Sequence, residues 1–319
     1  METEGDAAFV FPGMGPTAFA DVAKFMLLNP FARELVGIAD ETLGYSLVER
    51  FRAAEGDYSE YAQVAFLVNC LALAEWARAT LDAEPAVCLG PSFGNKAAAV
   101  YSGALSAEDG IRLTAEFARC LDAYFAAEHG GLVTQSFARI PGDRLRELRA
   151  ELDEQGEWHD LTCTVDHDFH MLTLAGNRTE WLQGRLRALG GLPLYLMRPP
   201  MHSPAFEGLR KKAAAEVIDR LTFAEPHTPV VSDHDGALLT TGDAVRNLLL
   251  DGCVRRVDWP VALDSLRERG VRRLFVTGQD ALFGRVPVAT KNFAVTGVDP
   301  RLAMRPRRRP PAPRQSATA

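Results

Sequence analysis

Short buried strands that run into glycine turns and then helices predict an α/β fold: a large domain with a parallel sheet, interrupted by a small inserted subdomain. Ala7-Ala8-Phe9-Val10-Phe11 stops at Pro12-Gly13, and Ala86-Val87-Cys88-Leu89 stops at Gly90-Pro91-Ser92-Phe93-Gly94, each the pattern of a buried strand closed by a tight turn. From Gly130-Gly131 the texture changes to a β-α-β-β-α-β alternation, the order of a ferredoxin-like unit.

The elements follow in order. After the first strand, residues 21–43 and 61–81 have helical spacing, the second with Val64, Leu67, Val68 and Leu71 on one stripe. The second strand and its turn lead into a helix at 95–102. The insert then reads as strand 132–137, helix 143–154, a long run 162–174 bent into two strands, helix 178–189 and strand 192–196. Beyond Pro204 come a helix to about Leu221, the strand Val230-Val231, helices at 243–250 and 260–269, and a last strand, Leu274-Phe275-Val276. The predicted organisation is therefore a large domain in two parts, 1–129 and 199–300, a small subdomain at 130–198, and a disordered basic tail at 301–319.

Composition bounds the function. A chain of 319 residues, 47% apolar and 24% charged, buries roughly three quarters of its unfolded surface and needs no metal or disulfide staple. Its five cysteines are odd in number with no C-x-x-C pair, which points to free thiols in a reducing compartment. The acidic start, Met1-Glu2-Thr3-Glu4-Gly5-Asp6, lacks the order of a secretory signal. Gln63, Asn69 and Glu75 interrupt the longest apolar stretch. A cytoplasmic, monomeric enzyme without membrane contact is the expectation. The tail carries six arginines and no acid, leaving 29 basic against 42 acidic residues, net −13, in residues 1–300. Such a body does not favour nucleic acid, whose phosphates need a concentrated basic face.

Gly90-Pro91-Ser92-Phe93-Gly94 is a G-x-S-x-G sequence between a strand and a helix, a setting that lifts a serine hydroxyl out of a sheet and puts helix N–H donors behind it. Serine needs a base within hydrogen-bond reach. Among seven histidines, His202 is the best placed, in Arg198-Pro199-Pro200-Met201-His202-Ser203-Pro204, where prolines constrain the loop. Asp166, Asp168 and His170 would share one face of a strand by its period of two, but no further ligand follows at zinc spacing, so a polar face is preferred and no metal is expected. Ser232-Asp233-His234-Asp235-Gly236 reads as a turn.

Taken in order, these motifs resemble the malonyl-CoA:acyl carrier protein transacylases. Phe9-Val10-Phe11-Pro12-Gly13-Met14-Gly15 is similar to that family's F-P-G-Q-G motif. Ala62-Gln63-Val64-Ala65, residues 90–94, Thr173-Leu174-Ala175-Gly176, Met201-His202-Ser203-Pro204 and Val257-Asp258-Trp259-Pro260 follow in the family's order. The resemblance spans about residues 7–290 and implies an α/β-hydrolase-like large domain with a ferredoxin-like insertion. It also implies ping-pong acyl transfer: Ser92 as nucleophile, His202 as base, and backbone N–H groups of Met14 and Phe93 as oxyanion hole, such donors being worth about 3–4 kcal/mol each. The main-chain carbonyl of Asp258 would orient the histidine, with the Asp258 carboxylate as an alternative.

Departures from the family point to the substrate. Pro91 replaces the usual histidine, Met201 stands before the base, and the helix position of the family's carboxylate-clamping arginine counts to Ala118, with Arg119 one step on. With Gln63, these residues form the expected substrate pocket. An acyl group without a free α-carboxylate fits better than malonyl. This is similar to the discrete macrolactam-pathway acyltransferases of the vicenistatin type, which move a dipeptidyl group between carrier proteins. The resemblance implies no bound cofactor, the phosphopantetheine arm of an acyl carrier protein as substrate, and a polyketide synthase loading module as partner. Arg146 and Arg149 share a helix face and are the candidate carrier-docking pair. A malonyl transacylase, a hydrolase that edits stalled carriers, and a catalytically inactive docking module are the rival readings.

Overall fold

The computed structural model describes residues 5–56 and 58–305. Among these, eleven strands form two sheets: β1 (Ala7–Val10), β2 (Val87–Leu89), β3 (Leu132–Ala138), β4 (His159–Asp166), β5 (Phe169–Ala175), β6 (Leu192–Met197), β7 (Val230–Val231), β8 (Leu238–Leu239), β9 (Val257–Asp258), β10 (Arg273–Thr277) and β11 (Ala294–Val298).

The large sheet runs β11-β10-β1-β2-β7-β8 and is parallel except for β8, which returns antiparallel to β7. Helices cover both faces, so its central strands β1, β2 and β7 are apolar and buried throughout rather than alternating. Period-two alternation sends Phe9 and Phe11 into one core, with the helix Glu60–Leu81, and Ala8 and Val10 into a second, with Trp259, Leu274 and Val276. The helix Glu60–Leu81 is long and apolar enough to span a bilayer, yet 72% of its most apolar window is buried inside the fold. It is the core helix of the large domain.

The small sheet has the ferredoxin-like order β6-β3-β5-β4, extended by β9, which joins β4 in parallel from the far side of the chain. Val133, Phe137, Leu161, Leu172 and Leu174 pack against Leu145, Leu148 and Leu152 of helix Gly142–Glu154 and Leu182 and Leu186 of helix Thr179–Ala188. The opposite face, with Thr134, Thr162 and Met171, is turned toward the large domain and lines its cavity.

Several expectations need correction. The helical stretch 21–43 is two helices, Phe19–Leu28 and Pro30–Leu43, because Asn29 caps the second through its side chain and Pro30 takes its first position. The short strands β8 and β9 and the strand β11 were not foreseen. The chain turns at His167 and Asp168, so Asp166 and His170 lie on separate strands. Asp166 accepts the N–H groups of His167 and Val288, and His170 Nε2 meets the Ile140 carbonyl. The expected tail does not begin at Arg301: Pro300–Ala303 is a helical turn capped by Asp299, whose carboxylate accepts the Leu302 N–H at 2.7 Å, and Ala303 and Met304 pack on the core. The remainder of that tail, 306–319, lies outside the described residues.

Candidate active site

At the end of β2 the chain reverses through residues 90–94 into helix Gly94–Tyr101. The reversal needs both glycines. A Cβ on Gly90 would lie 2.2 Å from the Gly94 carbonyl carbon, and one on Gly94 would lie 2.0 Å from the Phe11 carbonyl oxygen, closer than any packed contact. Ser92 occupies the apex with a φ of 56°, left-handed backbone that a side chain adopts only under constraint. Its Oγ lies 2.7 Å from His202 Nε2, within reach for direct proton transfer.

His202 is also left-handed, with a φ of 67°, in a loop that contains a cis Arg198–Pro199 peptide. Its N–H donates to the Cys253 carbonyl at 3.0 Å. Burial pulls the imidazole from 6.5 down to about 4, while the Asp233 charge and the Arg255 and Gly252 carbonyls act the other way. The ring is therefore neutral at pH 7. With Nε2 accepting from Ser92, the ring proton sits on Nδ1, which is buried with no partner in hydrogen-bond geometry.

The carbonyls that favour the protonated ring are those of Arg255 and Gly252, where the resemblance implied that of Asp258. Asp258 is engaged elsewhere: its carboxylate pairs with Arg256 at 2.7 Å, and its N–H donates to the Asp233 carbonyl at 2.8 Å. The carboxylate at the heart of the site is Asp233, which the sequence presented as one residue of a turn. It is 0% exposed. Its two oxygens accept the Ser92 N–H at 2.7 Å and Asn95 Nδ2 at 2.9 Å, with His234 Nε2 at 3.5 Å. The available signal was positional: Asp233 follows β7, the neighbour of β2, at the carboxyl edge of the sheet, where open α/β folds build their sites.

A cavity of about 260 Å³ opens beside Ser92. Met14 and Phe93 line it, as the oxyanion-hole assignment requires, and Gln63 and Met201 line it as expected. Three expected pocket residues do not. Pro91 is buried beneath the turn, its carbonyl accepting the Gly94 N–H at 3.0 Å. Helix Ala107–Ala127 faces the cavity with Leu113, Phe117 and Leu121, one per turn, so Ala118 points into the core. Arg119, rotated a further 100° or so, leaves the protein: its side chain is 55% exposed and pairs with Glu60 at 2.8 Å. The pocket-facing position is Phe117, one residue before the counted one. A cation also enters the cavity. Lys96 is buried, with Nζ 4.7 Å from the Phe93 ring centre and 4.6 Å from that of Phe117.

The proposed docking arginines separate. Helix Gly142–Glu154 covers the sheet face turned away from the cavity. Arg146 is exposed there, whereas Arg149 turns back so that its Nε donates to His159 Nε2 at 3.2 Å.

Comparison with known proteins agrees with this geometry. The model of the VinK acyltransferase small domain matches residues 136–197. The malonyl CoA-acyl carrier protein transacylase of Escherichia coli K12 is 26% identical over 282 residues, covering 85% of this chain and 88% of its own. The polyketide biosynthesis protein ThaF of Burkholderia thailandensis is 28% identical over 291 residues, 85% of this chain but 23% of that longer protein. Among solved structures, the transacylase in a complex titled "PlMCAT:AntF (holo): type II PKS acyl-carrier protein in complex with its malonyl-transacylase" shares the fold, with a TM-score of 0.80 at 20% identity over 92% of this chain and 96% of that one. Along most of its length the chain is thus similar to the malonyl-CoA:acyl carrier protein transacylases, and its small domain matches the VinK acyltransferase model.

Proposed function

We propose that this acyltransferase moves an acyl group onto the phosphopantetheine thiol of an acyl carrier protein through an acyl-serine, in polyketide assembly. The observation that carries the reading is the 2.7 Å contact between Ser92 Oγ and a neutral, half-buried His202. His202 Nε2 takes the serine proton as Oγ attacks the thioester carbonyl, and the imidazolium returns it to the departing thiolate. The carrier thiol then gives its proton to the same nitrogen and attacks the acyl-serine, and the imidazolium returns that proton to the departing Oγ, restoring Ser92 and neutral His202. Met14 and Phe93 N–H groups face the oxyanion in both halves, a term worth about 3–4 kcal/mol per donor. No bound cofactor enters these steps. The carrier and a loading module of a polyketide synthase are the partners.

The acyl group is proposed to be aminoacyl or dipeptidyl rather than malonyl. Helix Ala107–Ala127 presents Leu113, Phe117 and Leu121 to the cavity rather than a guanidinium, and its Arg119 faces outward; the arginine that does line the cavity, Arg198, lies on the His202 loop. The match to the VinK small domain supports the same choice. Intact-mass measurement after incubation with malonyl-, aminoacyl- and dipeptidyl-loaded carriers tests it. Mass gain on Ser92 from the aminoacyl or dipeptidyl carriers, passed on to a second carrier, is the expected result. Faster loading from malonyl-CoA would make this a malonyl enzyme like its named relatives, and release of free acid would make it an editing hydrolase.

A further inference from the structure

The carboxylate beneath the nucleophile has a neighbour that the acyl-transfer steps leave unused. His234 follows Asp233 in the turn between β7 and β8, which is closed by the Ser232 N–H on the Ala237 carbonyl and the Gly236 N–H on the Ser232 carbonyl. Its own N–H donates to Ser232 Oγ at 3.2 Å. The side chains of His234 and Asp233 are 1% and 0% exposed, so their contact lies in the interior. His234 Nδ1 is 3.0 Å from the Arg256 carbonyl. A carbonyl oxygen only accepts, so Nδ1 carries a ring proton. Nε2 is buried, finds no hydrogen-bond partner, and stands 3.5 Å from Asp233 Oδ1. Without a proton on Nε2, a lone pair would face the carboxylate at low dielectric; with one, the contact becomes an ion pair.

We infer that His234 is a positioning residue whose ring carries both protons, giving one to the Arg256 carbonyl and turning the other to Asp233, so that the carboxylate holds the serine turn while its charge is balanced at the reacting pair. This rests on the acyl-serine reading and adds a group that acts on it through Asp233. The balance matters in two places. Asp233 favours the imidazolium of His202, and the charge of His234 opposes it. An unbalanced carboxylate taking the Ser92 N–H at 2.7 Å would also repel the oxyanion that forms beside that serine. Of the neighbouring charges, Asp235 pairs with Arg255 and Asp258 with Arg256, each at 2.7 Å. Lys96 is turned to the rings of Phe93 and Phe117. Cys163 and Cys253 stay thiols, since burial pushes both up, and Asn95 gives Asp233 a neutral amide N–H.

Nitrogen NMR of the full native chain with isotope-labelled histidine reads the ring directly, the His234 signals being traced from that residue's own backbone. At pH 7 both of its ring nitrogens should carry protons, while His202 shows one. An unprotonated Nε2 on His234 would overturn the inference. Single-turnover acylation by an alkanoyl pantetheine thioester reads the effect on the reaction. His234→Gln, which keeps an amide near Asp233 but no charge, should raise the acid limb of the rate by about one pH unit, a change of about tenfold in the proton affinity of the His202 ring. Asp233→Asn should move the limb the other way, and the double variant should return it toward the native position. A slower His234→Gln enzyme with an unmoved or lowered limb would leave His234 as packing for the turn and overturn the inference. Should that variant fail to fold, the NMR result on the native chain decides. Mass gain on native Ser92 from the same thioester reports separately on the acyl-serine chemistry, because the His234 protons are read without substrate.

Discussion

Ser92 and His202 both occupy left-handed backbone, but the protein holds them by different means. The serine is clamped from below: two glycines close its turn against neighbouring backbone, and the Asp233 carboxylate takes its N–H. The histidine hangs from a proline-rich loop by its backbone N–H, and its ring is fixed by packing, with Nδ1 unpartnered. The nucleophile is positioned by hydrogen bonds and steric contact; the base is tuned by burial. Geometry and basicity are thus set by separate parts of the molecule, and substitutions can separate them.

The largest effect falls on the clamped side. Ser92→Ala should abolish covalent acylation and carrier-to-carrier transfer with the fold intact, read as loss of the mass increase alongside an unchanged melting transition. On the tuned side, His202→Ala should slow acylation by about 10²–10⁴-fold, the usual worth of a general base, in single-turnover kinetics. A smaller loss would mean that the ring does not take the serine proton.

Asp233 joins the two sides, since it holds the serine turn and favours the protonated imidazole. In the native enzyme, activity should fall on the acid side only as pH drops through about 4, because a ring already protonated cannot accept the serine proton. Asp233→Asn removes the charge but keeps one acceptor oxygen. It should move that acid limb lower and slow acylation by about tenfold, the worth of one pKa unit. A lower rate with an unmoved limb would leave Asp233 as a clamp only. The smallest effect is Arg119→Ala, an exposed ion pair: kcat/KM with any acyl donor should stay within about twofold. A selective loss on malonyl thioesters would place that arginine in the pocket.

Local signals in the sequence carried the fold and the reacting pair. Strand-turn-helix punctuation marked Ser92, prolines marked the His202 loop, and the alternation after Gly131 marked the insert. What stayed hidden depended on distance or rotation. Asp233 lies 141 residues from Ser92, and nothing in Ser232-Asp233-His234 separates a buried carboxylate from a surface turn. Phe117 and Ala118 differ by one step, about 100° of helix, finer than counting from a motif can resolve. Lys96 is close to Ser92 in sequence, but Phe117, whose ring lies 4.6 Å from its Nζ, comes from another helix. The break at Asn29-Pro30 was legible in principle, as an N-cap followed by proline.

The two-residue strand β9 has a mechanical consequence. Its Asp258 pairs in register with Thr164 of the small sheet, its N–H donates to the Asp233 carbonyl, and it follows the stretch 252–255 whose carbonyls favour the protonated His202 ring. Three bodies are therefore stitched at one point: the inserted sheet, the turn beneath the nucleophile, and the loop behind the base. A load applied to the insert cannot widen the cleft without either unzipping that ladder or dragging the proton-transfer pair out of register.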